Sequence, residues 1–211
     1  EIRKWKDKVD GFTTNPSLMR KAEVQDYEKF AKEVLEIVGD KPVSFEVFTN
    51  YFEEIKEQAR KISGWGKNIY VKIPIYLKEN RVTFSTMAAL LDEGIKVNLT
   101  AITEKWKIFL TPKTPAILSY FAGRVADTGI DPIPEIRKLK EANPDFEILW
   151  ASAREVLNIY QAEQAGADII TCPPELLEKY EKFKGMDLKE LSLLTVKQFY
   201  YDGQKAGYKF D

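Results

Sequence analysis

Lys72 and Glu46 are the residues of this chain whose types and surroundings best fit chemistry. Lys72 stands in Val71-Lys72-Ile73-Pro74, among side chains that cannot solvate an ammonium. Burial in such company disfavours the charged form, and a neutral lysine amine attacks carbonyl carbon and can form a Schiff base. The resulting iminium accepts the electrons of a carbon–carbon bond broken beside it. A proton carrier is then needed, and the chain contains no histidine. That excludes Ser-His-Asp and Cys-His catalysis and His-ligated zinc, and leaves a carboxylate as the natural carrier. Glu46, in Val43-Ser44-Phe45-Glu46-Val47, is the carboxylate on a nearby apolar run. A purely structural pairing of Glu46 with Lys72 is the other reading.

Arg124, Ser152 and Arg154 follow the ends of later apolar runs. Two guanidinium groups and a hydroxyl suit a phosphate, because the guanidinium fork matches its oxygens. Surface salt bridging by the arginines, and capping of the next helix by Ser152, are the competing roles. Cys172, in Ile169-Ile170-Thr171-Cys172-Pro173, reads as a buried strand residue with no imidazole to activate it.

The elements that position these groups are short. Strand-like runs occupy Val9–Thr14, Pro42–Phe48, Asn68–Ile75, Ile95–Ala101, Ala116–Phe121, Glu147–Ala151 and Ala167–Cys172. Helical periodicity fills the intervals, as over Asp26–Val38 and Tyr51–Ile62. Repeated strand–helix alternation predicts a parallel sheet with helices outside. Successive strand residues face opposite ways. Val43, Phe45, Val47, Val71, Ile73, Ile75, Val97, Leu99, Ala101, Leu118, Tyr120 and Ala151 are therefore expected to face the helices. Glu46, Lys72, Asn98, Thr100, Ser119, Phe121 and Ser152 are expected to face the interior. The polar inward residues lie late in their runs, at the end where (β/α)8 barrels build active sites. Seven runs against the eight of such a barrel predict an α/β (β/α)8 fold whose first strand is missing from this chain. A seven-stranded open sheet is the alternative. One domain is expected over 1–211, with an added C-terminal helix over 187–207.

Composition narrows the partners. Lys+Arg is 32 and Asp+Glu is 33, so the formal net charge is −1 and no general grip on nucleic acid or an anionic membrane is expected. No apolar run is long enough to span a bilayer, and no signal-peptide pattern is read at the start. A single cysteine excludes an intramolecular disulfide, and a reducing, cytoplasmic setting is expected.

Taken in order, Gly11-Phe-Thr-Thr-Asn-Pro-Ser17, Val43-Ser-Phe-Glu-Val47, Val71-Lys-Ile-Pro74, Gly94-Ile-Lys-Val-Asn-Leu-Thr-Ala101, Ser119-Tyr-Phe-Ala-Gly-Arg124, Ala151-Ser-Ala-Arg154 and Ala165-Gly-Ala-Asp-Ile169 resemble the transaldolase and fructose-6-phosphate aldolase family. The resemblance implies a class I aldolase chemistry with no cofactor and no metal. It implies that Lys72 forms the Schiff base and that Glu46 and Thr100 hold a catalytic water. It further implies that Asn15, Asn98, Ser119 and Phe121 meet the substrate, and that Arg124, Ser152 and Arg154 hold its phosphate. Glu46, Asn98, Ser119 and Phe121 side with transaldolases, which move a dihydroxyacetone unit between sugar phosphates in carbohydrate metabolism (the pentose phosphate pathway). A simple aldolase, or a non-catalytic sugar-phosphate-binding relative, is the alternative. A homo-oligomer is implied as well. The chain departs from the family pattern in lacking a first-strand aspartate, in a short Thr103–Thr111 segment, and at Tyr120, Trp150 and Ala153.

Overall fold

In the computed structural model, which describes residues 1–208, seven parallel strands follow one another across one sheet in chain order. The last three residues of the domain expected over 1–211 lie outside the described residues. The strands are β1 (Phe12–Thr13), β2 (Val43–Glu46), β3 (Ile69–Pro74), β4 (Val97–Ile102), β5 (Ala116–Tyr120), β6 (Glu147–Trp150) and β7 (Ile169–Ile170). All but β4 lie within the runs read from the sequence, and β4 extends its run by one residue, to Ile102.

The helices are α1 (Ile2–Trp5), α2 (Pro16–Lys21), α3 (Tyr27–Val38), α4 (Phe52–Ser63), α5 (Phe84–Asp92), α6 (Ala122–Ala126), α7 (Pro132–Ala142), α8 (Leu157–Ala165), α9 (Pro174–Phe183) and α10 (Leu188–Ala206). Local chemistry sets several starts. Asn15 caps α2, with Pro16 as its first residue, and Asp26 caps α3 by accepting from the Lys29 N–H at 2.9 Å. Asp187 caps α10 and Gly207 ends it in the left-handed conformation, matching the helix expected over 187–207.

Parallel strands in chain order without reversal place the crossover helices on one face of the sheet. A doubly wound open sheet requires a reversal, so this is a TIM-barrel-like α/β fold. The sheet curls until its edges approach. Thr13 Oγ1 and Thr171 Oγ1 are 2.7 Å apart, and Lys4 of α1 pairs with Glu178 of α9 across the same seam.

Two hydrophobic clusters result. The outer one packs Val43, Phe45, Val71, Ile73, Val97, Leu99, Leu118, Tyr120, Ile148 and Trp150 against helix residues such as Ala31, Ile55, Leu90 and Ile136. The inner one joins Ile117, Leu149 and Ala151 with Tyr70, Phe121 and Ile169.

Two expected orientations are corrected. Ala101 does not join the outer cluster: it is exposed with φ +62°, at a register shift between Leu99 and Ile102, and Ile102 takes the buried outer place. The bulge inserts one residue and reverses the alternation there. Ala151 packs inward with Leu149, because β6 alternates from Leu149 in to Trp150 out. The strand–helix alternation also lapses once, since residues 103–115 join β4 to β5 without a helix. Asn143 secures that loop, accepting from the Ile108 N–H at 2.8 Å and donating to the Trp106 carbonyl at 2.6 Å.

Candidate active site

Parallel register places Glu46, Lys72 and Asn98 opposite one another on β2, β3 and β4. Carboxylate, amine and amide thus stand side by side on the concave face. Lys72 is 7% exposed. Its Nζ donates to Glu46 Oε2 at 2.9 Å and to the Thr14 carbonyl at 3.0 Å. The apolar surroundings read from the sequence are present, and so is the ion pair. Before the amine can attack a carbonyl, its extra proton must leave, and the nearest acceptor is that carboxylate. Glu46 is the more exposed partner, so the pair opens to solvent on its side.

Asn98 is fully buried and links two strands' hydroxyls. Ser119 Oγ donates to its Oδ1 at 2.6 Å, and its Nδ2 donates to Ser44 Oγ at 3.1 Å. The two hydrogen bonds fix the amide's orientation, as expected for a buried polar side chain. Thr100 is 2% exposed, on the same face of β4 two residues on, and its Oγ1 has no hydrogen-bond partner among the described residues. An orphaned buried hydroxyl costs about 1–3 kcal/mol unless something polar meets it. Here that partner fits a water or a substrate oxygen.

The remaining sequence candidates lie at the C-terminal ends of the strands. The Asn15 side chain accepts from the Leu18 N–H at 2.8 Å as the α2 cap, leaving its amide nitrogen for other contacts. Phe121 packs on the inner cluster at the start of α6. Arg124, on α6, is exposed. Ser152 has φ +64° and does not cap α8, whose N-cap is Val156; the Asn158 side chain instead accepts from the Arg154 and Glu155 N–H groups. Arg154 is exposed and paired through Nη2 with Asp127. Gly123 presses against this turn: a Cβ on it would stand 1.9 Å from the Ser152 carbonyl oxygen.

Sequence reasoning misses three contributors to the site. Ser44 shares the inward parity of Glu46, and that parity is the signal that marks it. Asp127 follows Arg124 by three residues but acts on Arg154, a pairing only the fold reveals. Tyr27 is one of the periodic apolar residues of α3, yet its hydroxyl meets the Glu46 backbone. Two surface grooves lie elsewhere. One, of about 650 Å³, runs over Tyr27, Phe48 and Trp65, and the other, of about 540 Å³, lies beside the β4–β5 loop.

The chain is similar to known proteins. The family model described as Transaldolase/Fructose-6-phosphate aldolase matches residues 1–210. A probable transaldolase of Brucella melitensis is 38% identical over 199 residues, spanning 89% of this chain and 88% of its own length. One from Caldicellulosiruptor saccharolyticus is 36% identical over 186 residues, spanning 85% and 83%. Probable transaldolase 2 of Listeria monocytogenes is 37% identical over 176 residues, spanning 81% and 78%. Among solved structures, a monomeric dihydrodipicolinate synthase variant superposes with a TM-score of 0.48 at 20% identity, over 81% of this chain and 60% of that one.

Proposed function

This chain belongs to the transaldolase and fructose-6-phosphate aldolase family, and from that premise we propose that it is a transaldolase working through a Schiff base on Lys72. Membership supports an aldolase or transferase acting on sugar phosphates. The observation that carries the finer reading is the Lys72–Glu46 contact of 2.9 Å on the concave face, beside Asn98 and the unpartnered Thr100 hydroxyl.

The steps follow from those groups. Glu46 takes a proton from Lys72, and the free amine adds to the ketose carbonyl carbon. Loss of water from the adduct gives an iminium. Removal of a proton from the hydroxyl on the carbon β to the iminium makes that carbon an aldehyde and breaks its bond to the α-carbon. The bonding electrons pass to the iminium, leaving an enamine on Lys72 and releasing an aldose phosphate. The enamine then attacks an acceptor aldehyde, and water frees the product and the lysine. Glu46 moves protons through a water that Thr100 Oγ1 helps to hold. Asn98 and Asn15 orient the dihydroxyacetone hydroxyls. Ser119 holds Asn98, and Phe121 forms an apolar wall. Arg124, Ser152 and Arg154 take the phosphate, with Asp127 keeping one Arg154 nitrogen engaged.

No helix among the described residues is long and apolar enough to cross a membrane. Work in the cytoplasm is proposed with the activity. A homo-oligomer is proposed too, supported by α10: among its described residues none is buried, and Leu188, Val196 and Phe199 are exposed.

The test is borohydride trapping. Protein is incubated with fructose 6-phosphate, reduced and digested, and the peptides are weighed by mass spectrometry. A sugar-derived adduct on the Lys72 peptide, absent from Lys72→Ala, is expected. An adduct elsewhere, or none, overturns the reading. Acceptor dependence decides between transfer and simple aldol cleavage: a transaldolase turns over only when an acceptor aldose phosphate is supplied.

A further inference from the structure

The backbone of Glu46 is secured by a group outside the sheet. In β2 the odd residues bond toward β3: the Val43 and Val47 N–H groups donate to the Asn68 and Lys72 carbonyls at 3.0 and 3.1 Å. The even residues face β1, where the Ser44 carbonyl accepts from the Thr14 N–H at 3.0 Å. Glu46 is the next even residue, and β1 has already ended at Thr13. The chain there turns into α2 at Pro16, which has no N–H to offer. The N–H and C=O of Glu46 would both lack strand partners.

Tyr27 supplies both. The Glu46 N–H donates to Tyr27 Oη at 2.8 Å, and Tyr27 Oη donates to the Glu46 carbonyl at 3.0 Å. The ring is wedged between Trp65 (centroids 5.2 Å), Phe48 (5.0 Å) and Phe45 (5.9 Å). Its backbone sits at the first position of α3, next to the Asp26 cap. A rigid hydroxyl thus stands in for a missing strand residue at the point where the carboxylate leaves the sheet.

We propose that Tyr27 is a positioning residue for Glu46, fixing the backbone from which the carboxylate reaches Lys72; this rests on the function proposed above. Burial pushes the phenol up to about 12, so it keeps the proton it donates through neutral pH. A misplaced proton carrier slows chemistry more than it weakens binding.

Tyr27→Phe keeps the ring and removes only the clamp. Expected are faster hydrogen exchange at the Glu46 amide and a kcat lowered roughly 10- to 100-fold, with KM for the ketose phosphate within about twofold of wild type. Trp65→Phe alters the same aromatic cluster without touching Glu46, and its kcat is expected to stay within about threefold of wild type. An unchanged Glu46 amide in Tyr27→Phe overturns the proposal. So does an unchanged kcat despite a freed amide, a rise in KM alone, or an equal loss of kcat in Trp65→Phe. Wild-type protein that forms no Lys72 adduct overturns the underlying reading, and this proposal with it. A wild-type adduct with an unaffected Tyr27→Phe overturns the positioning role alone.

Discussion

Glu46 Oε2 lies 2.9 Å from Lys72 Nζ, and both groups sit on the concave face of adjacent strands. The contact is an ion pair in the resting protein and, in the proposed mechanism, the route by which the amine loses its proton. Those two roles separate on substitution.

Glu46→Gln keeps the volume and an oxygen that Lys72 can still donate to, but removes the base. Turnover is expected to drop by about 10²–10⁴-fold, while borohydride still traps an adduct on Lys72. Steady-state kinetics and trapping on one preparation check this. A rate within about threefold of wild type would remove Glu46 from the proton path. Glu46→Ala should be less stable than Glu46→Gln, because it leaves Lys72 Nζ with only the Thr14 carbonyl to donate to.

Thr100→Val tests the orphaned hydroxyl. Its Oγ1 has no partner among the described residues, so removing it relieves an unmet polar group and preserves the shape. Denaturant unfolding is expected to show stability unchanged or raised by about 1 kcal/mol. Turnover is expected to fall at least about tenfold, because in the proposed mechanism the water that serves Glu46 loses one of its holders. A variant that is both stable and fully active would leave Thr100 without a catalytic part.

Much of this arrangement is legible in the chain, for reasons local to it. The two-residue alternation of β2, β3 and most of β4 is strict, so sequence parity alone assigns Glu46, Lys72, Asn98 and Thr100 to one face. Parity fails where alternation fails. The Leu99–Ile102 bulge moves Ala101 to solvent, and Ala151 takes its side from β6 rather than from the turn after it. Contacts that cross between elements are also beyond it. Nothing in the sequence around Tyr27 says that its hydroxyl will meet the backbone of a residue 19 positions on. Nor does spacing alone bring Asp127 to Arg154, 27 positions apart.

Gly123→Ala should damage the proposed phosphate site from behind. The added carbon would stand 1.9 Å from the Ser152 carbonyl, so backbone must move. A loss of about 1–3 kcal/mol in stability is expected, with a raised KM for phosphorylated substrates. Arg154→Ala should raise that KM with little loss of stability, because its pair with Asp127 is half exposed and worth under about 1 kcal/mol. The check is KM measured with phosphorylated and unphosphorylated substrates. An equal change for both would count against a phosphate role at this turn.

Stability should fall at high pH, and three acids with large shifts contribute to the fall. Burial pushes the Tyr27 and Tyr120 phenols up to about 12 from 10.0, and the Cys172 thiol up to about 11 from 9.0. Each of these acids holds its proton longer in the folded chain than in the unfolded one. Between the two values the folded state binds more protons, so the free energy of unfolding decreases as pH rises. The stabilisation is complete below about pH 9, begins to fall as the unfolded thiol ionises, and is lost as pH passes through about 11 for Cys172 and about 12 for the tyrosines. Urea unfolding at stepped pH should show that decline, and Tyr120→Phe and Cys172→Ala should each flatten their own part of it. Tyrosinate absorbance offers a direct reading: the Tyr27 and Tyr120 phenols should ionise only as pH passes through about 12. Wild type and Tyr27→Phe with identical alkaline limbs would mean that the Tyr27 phenol is not held in its neutral form by the fold.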